Sequence, residues 1–141
     1  MELPVWAQIL LEEPDHNNEV CKRTLVLMGH GSRDPRWREP FDRLCAAANA
    51  ANGGGIRMAF MDFIEPTLMQ VVEDCVREGV QSIAVLPLFL AAGAHVATDI
   101  PSQIDEIRTR FPQIRIEPLA PIGEDPRMFS LLKEIILERA A

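Results

Sequence analysis

TLVLMGHGSRDPR, residues 24–36, is the stretch that decides the fold. It opens on a short apolar run, Leu25–Met28, that reads as a buried strand. It then breaks into a loop at Gly29-His30-Gly31-Ser32. A second stretch follows the same plan: PLFLAAGAHVATDIP, residues 87–101, continues the apolar run Ile83–Phe89 and carries His95. The chain has three histidines, and two of them stand just beyond such runs, 65 positions apart. In a parallel α/β sheet the loops after the strands open at one edge, where such folds bind ligands. Two imidazoles distant in sequence can therefore share one cleft.

Outward from these loops, strand and helix patterns alternate. Thr24–Gly29 reads as strand one. Pro40 opens a helix with Phe41, Leu44, Cys45 and Ala48 on its apolar face, and Gly53-Gly54-Gly55 ends it. Ile56–Phe63 reads as strand two. Pro66 falls in the first turn of the next helix, where its missing N–H costs nothing. Leu68, Val71, Val72, Cys75 and Val76 form that helix's stripe, and Gly79 stops it. Ser82–Phe89 is a third strand, with Pro87 near its end. Thr98 or Asp99 caps the following helix, with Pro101 in its first turn and Ile100, Ile104, Ile107 and Phe111 on one face. Ile114–Glu117 is a fourth strand. The last helix starts near Asp125-Pro126, with Met128, Leu131, Leu132, Ile135 and Ile136 on one side. This alternation predicts an α/β fold: three αβα layers around a four-stranded, mainly parallel sheet with right-handed crossovers.

Residues 23–141 form one predicted domain, and residues 1–22 an N-terminal extension. The extension carries Trp6 and Ile9-Leu10-Leu11, then a polar stretch in which His16 reads as a surface histidine. With five acids and no Lys or Arg in its first 20 residues, it is not patterned as a signal peptide. At 48% hydrophobic and 25% charged, the 141-residue chain has the composition of a soluble globular protein. No apolar run is long enough to span a bilayer. Cys21, Cys45 and Cys75 are odd in number and lack CxxC spacing, as expected of reduced thiols in a cytoplasmic protein. The net charge of −7 argues against nucleic acid as a partner. Residues 21–57 nevertheless hold seven basic side chains against three acids, a local rim that suits an anionic ligand. Arg38 and Arg43 in that segment also fit a solvated helix face.

Three loops converge at the predicted edge. They bring His30, Ser32 and Arg33; Asp62 and Glu65; and Gly93, Ala94 and His95. Two imidazoles with a carboxylate suit a divalent ion such as Fe²⁺, Co²⁺ or Ni²⁺, and the absence of cysteine from the set speaks against a closed structural zinc site. Each residue has a plainer reading. His30 suits a turn between glycines, and His95 a loop or helix cap. Glu65 suits a helix N-terminus, and Asp62 an outward-facing strand end. The glycine loop lacks the Gly and Lys spacing of a P-loop, and Ser32 is not in a nucleophile elbow.

The segments LVLMGHGSRDPR, AFMDFIEPTL, LPLFLAAGAHVATDIP and PIGEDP resemble, in order and spacing, the small CbiX/SirB-type sirohydrochlorin chelatases, over about residues 24–140. The resemblance implies a class II chelatase fold, a lyase that inserts a divalent metal into a carboxylate-rich tetrapyrrole, and homodimers in which the cleft lies between subunits. Cobalt insertion leads towards cobalamin and iron insertion towards sirohaem. No permanently bound cofactor is implied, because the metal is a substrate. By position, His30 and His95 would be the metal-binding and catalytic residues, with Glu65 as the weaker third. Asp62 stands where glutamate is more usual. Ser32, Arg33 and the backbone around Gly93-Ala94 would hold substrate carboxylates. Two rivals stay open: a metal or tetrapyrrole carrier that does not turn over, and an unrelated α/β enzyme whose glycine loop holds a phosphate.

Overall fold

The computed structural model describes residues 23–91 and 93–141, excluding the side chains of residues 94–97. The extension, with Trp6, His16 and Cys21, lies outside the described residues. Four strands, β1 (Arg23–Gly29), β2 (Ile56–Phe60), β3 (Ser82–Pro87) and β4 (Arg115–Pro118), form one parallel sheet in the order β2-β1-β3-β4. Four α-helices join or follow them: α1 (Glu39–Ala51), α2 (Leu68–Arg77), α3 (Ala94–Arg110) and α4 (Pro126–Ala140). Short 3₁₀ turns, Pro35–Arg38 and Ile122–Glu124, precede α1 and α4. No described helix is long and apolar enough to cross a membrane.

The pleat divides the core into two sets. Val26, Met28, Ile83, Val85 and Ile116 face one way and pack with Leu68, Val71, Val72 and Cys75 of α2 and Ile100, Ile104 and Ile107 of α3. Leu25, Leu27, Met58, Phe60, Leu86 and Leu88 form the other set, with Trp37 from the first 3₁₀ turn and Phe41 and Cys45 from α1. Cys45 and Cys75 are buried and unbridged, and desolvation pushes both thiols above the ordinary value.

Local chemistry moves several expected boundaries. Strand two stops at Phe60 rather than Phe63, because the chain turns at Asp62–Ile64, where the Ile64 N–H donates to the Asp62 carbonyl (2.9 Å). Pro66 is not in the first turn of α2. Thr67 is the N-cap, and Thr67 and Gln70 satisfy each other's backbone N–H groups in a capping box (3.2 and 2.9 Å). The third helix starts at Ala94, not after Thr98, and takes Pro101 into its interior. An interior proline removes a single i→i−4 bond, so it marks a cost within a helix as well as a helix start. Leu44, expected on the core face of α1, is 51% exposed.

The last helix departs most from expectation. Its N-cap is Asp125, which accepts from the Arg127 N–H (2.9 Å). Beyond that first turn its apolar stripe is largely uncovered among the described residues. Phe129, Leu131, Leu132, Ile135, Ile136 and Leu137 are 36–68% exposed.

Candidate functional site

The sheet order creates a topological switch point. From β1 the chain first moves outward to β2, then crosses back to β3 on β1's other side. The crevice beyond the ends of β1 and β3 is where open α/β sheets bind ligands. The His30 loop follows β1, and the loop leading to His95 follows β3. The two loops are joined directly. The imidazole of His30 lies on the ring of Phe89, with centroids 3.8 Å apart and planes tilted by 31°. Phe89 is 3% exposed, whereas His30 is exposed, so a fixed aromatic floor carries an accessible imidazole. The Leu88 N–H also donates to the Met28 carbonyl (2.9 Å).

Two glycines lock the neighbouring loops in place. Gly31 has a φ of +92°, and a Cβ there would lie 1.8 Å from the Asp62 carbonyl oxygen. The approach lets the Asp62 N–H donate to the His30 carbonyl (3.0 Å). Gly123, in the loop after β4, donates to the Phe89 carbonyl (2.9 Å), and a Cβ there would lie 1.9 Å from the Leu90 oxygen. Only glycine permits such approaches. Three loops thus brace the ground under His30.

His95 is the second residue of α3, at the start of the first helical turn beyond the switch point. Its side chain lies outside the described residues. Glu65 precedes Pro66 at the mouth of α2, where one carboxylate oxygen accepts from Gln70 Nε2 (3.0 Å) and the Glu65 carbonyl accepts from Arg38 (3.1 Å). Asp62 is exposed. Among the described residues, no three ligating side chains gather. Ser32 Oγ accepts from the Asp34 N–H (3.1 Å), which leaves its hydroxyl hydrogen available to a ligand.

The basic rim is smaller than its charge count. Arg23 pairs with Glu117, Arg36 with Asp34, Arg38 with Asp42, Arg43 with Glu39 and Arg57 with Glu78. Arg36 in turn holds the Asp34 carboxyl below the usual carboxylate range through their hydrogen bonds. Arg38 is half-buried: it lies over the Phe60 ring (5.0 Å) and ties the Glu65 loop to the start of α1. Among the described cations of this segment, Arg33 alone has no carboxylate partner, and it stands over Phe63 at 5.0 Å. Charge counting missed this distinction, because pairing depends on geometry. It also missed Phe89 and Phe63, which sequence periodicity marks only as apolar.

The chain matches the CbiX family model over residues 24–139. It is 33% identical over 105 residues to the sirohydrochlorin ferrochelatase of Bacillus subtilis, covering 74% of this chain but 40% of that protein. It is 32% identical over 116 residues to the sirohydrochlorin cobaltochelatase of Sulfurisphaera tokodaii, covering 81% of this chain and 91% of that one. The fold matches a CbiX protein of Marinobacter aquaeolei with a TM-score of 0.76 and 31% identity, over 84% of this chain and 97% of the other. It matches SirB of B. subtilis, solved with Fe³⁺, with a TM-score of 0.74 and 29% identity, over 85% of this chain and 48% of SirB. The chain thus spans half or less of the Bacillus relatives and nearly all of the single-unit ones. The four-stranded parallel sheet, its strand order and the matched span place the chain in the CbiX family.

Proposed function

We propose that the chain is a sirohydrochlorin metal chelatase, inserting Co²⁺ ahead of Fe²⁺ and working as a cytoplasmic homodimer. The observation that carries this reading is the position of the two histidine segments on adjacent strands at the switch point, braced from both sides. Insertion must strip water from the ion and remove two protons from pyrrole nitrogens as two metal–nitrogen bonds replace two N–H bonds. Neutral imidazole can ligate the ion or accept a proton near neutral pH. His30 and His95 take these roles. Glu65 is the supporting carboxylate, although its bond to Gln70 must loosen before it can ligate. An open set of this kind surrenders its ion more readily than a closed cage. Substrate carboxylates fit Arg33, the Ser32 hydroxyl and the N–H groups at Gly93 and Ala94, where the first turn of α3 leaves donors unsatisfied.

The test is anaerobic insertion of Co²⁺, Fe²⁺ and Ni²⁺ into sirohydrochlorin, followed by absorbance, against a His30→Ala/His95→Ala chain. Wild-type rates far above both the variant and the protein-free reaction are expected. Equal rates with tight macrocycle binding would make the protein a carrier, and phosphate-ester binding without macrocycle affinity would make it the unrelated α/β enzyme. The homodimer reading is supported by the stripe of α4, which stays largely uncovered among the described residues. A second copy would also supply the share of SirB that one chain does not span. Burying such a stripe between two copies in a closed pair satisfies both at once.

A further inference from the structure

We infer that Phe63 is a stacking platform for the tetrapyrrole, with Arg33 held against its ring to pair with a substrate carboxylate; this rests on the chelatase reading. Phe63 is the one non-glycine residue with a positive φ (+72°) among the described residues. An aromatic residue in the left-handed region persists only where its surroundings enforce it. The enforcing contacts are backbone ones: the Ile64 N–H closes onto the Asp62 carbonyl, and the Asp62 N–H is held by His30. Core packing does not account for the ring. Phe63 is 65% exposed, while Phe60, three residues earlier, is fully buried. The turn therefore lifts a large apolar ring out of the sheet edge, one residue from the peptide that braces His30.

Arg33 supplies the second observation. It occupies part of the ring surface and has no carboxylate partner among the described residues, whereas the other described cations of residues 23–57 are paired. An exposed π-face beside an uncompensated guanidinium fits a flat, conjugated, multiply anionic molecule. It does not fit a bare metal ion. The ligand class is thus the metal-free macrocycle, with Phe63 acting on its binding and orientation rather than on proton or metal transfer.

The experiment measures equilibrium binding of metal-free sirohydrochlorin to the full chain, with insertion kinetics and thermal unfolding alongside. Glycine fits a positive φ without strain, so Phe63→Gly is expected to leave Tm unchanged while weakening macrocycle binding about tenfold. KM should rise by a similar factor, with kcat within about twofold of wild type. Phe63→Trp should retain the affinity. Unchanged binding in Phe63→Gly would overturn the inference, as would a Tm drop of several degrees, which would mark the ring as structural. Loss of affinity in Phe63→Trp equal to that in Phe63→Gly would do the same. Failure of the wild-type chain to bind sirohydrochlorin would instead overturn the chelatase reading itself.

Discussion

Two helices of this chain carry nearly the same apolar code and meet opposite fates. Leu68, Val71, Val72 and Cys75 on α2 are buried against the sheet. Met128, Leu131, Leu132, Ile135 and Ile136 on α4 share the i, i+3, i+4 spacing, yet four of those five stand 36% or more exposed. Periodicity therefore reports that a helix has an apolar face, not what covers it. The α2 stripe is covered because a crossover between two parallel strands must lie on their sheet. α4 is not a crossover between described strands.

The largest expected effect tests the buried member of the pair. Leu68→Ala removes a fully buried side chain from the helix that packs on β1 and β2 and should cost about 2–5 kcal/mol in urea unfolding. The matching truncation on α4, Leu132→Ala, should cost a monomer little. Equal losses at the two positions in a monomeric chain would erase the contrast.

That contrast also marks how much was legible beforehand. The parallel sheet and the two histidine loops are legible from apolar runs of strand length alternating with helical stripes, because those signals are local. Ile56–Phe63 reads as one strand, while the turn that ejects Phe63 depends on a carbonyl of the His30 loop. Pro101 reads as a first-turn residue, which puts the expected start of α3 later than Ala94. The His30–Phe89 stack joins side chains from two strands, and no spacing rule within one segment reveals it. The local pattern thus identified the loops, while the contacts that brace them come only from tertiary structure.

A middle-sized effect concerns what covers α4. Wild-type protein at micromolar concentration should have a solution mass twice 15.8 kDa by light scattering. Ile136→Glu places a charge in the middle of the exposed stripe and should return the mass to that of one chain, with helicity and Tm of the monomer preserved, since Ile136 is 65% exposed and supports no core of its own. A wild-type monomer would end the homodimer reading and leave the chelatase reading standing. A dimer unaffected by Ile136→Glu would move the interface to another face.

The smallest effect sharpens the comparison at Cys75, the one titratable group in the α2 stripe. Burial pushes its thiol above 9.0, and the nearby Arg57 only partly opposes this. The thiolate, which is the reactive form, is therefore scarce at pH 7.5. In a Cys21→Ser/Cys45→Ala chain, iodoacetamide should leave Cys75 unmodified under native conditions and label it in denaturant, as read by intact mass. The same shift sets the sign of a pH effect. The folded state holds the thiol proton more tightly than the unfolded chain, so this contribution to stability is complete below about pH 9 and declines as pH rises through the folded-state value. Rapid labelling of native Cys75 at pH 7.5 would mean that α2 opens as freely as the exposed face of α4, and the difference between the two helices would then lie in sequence position rather than in packing.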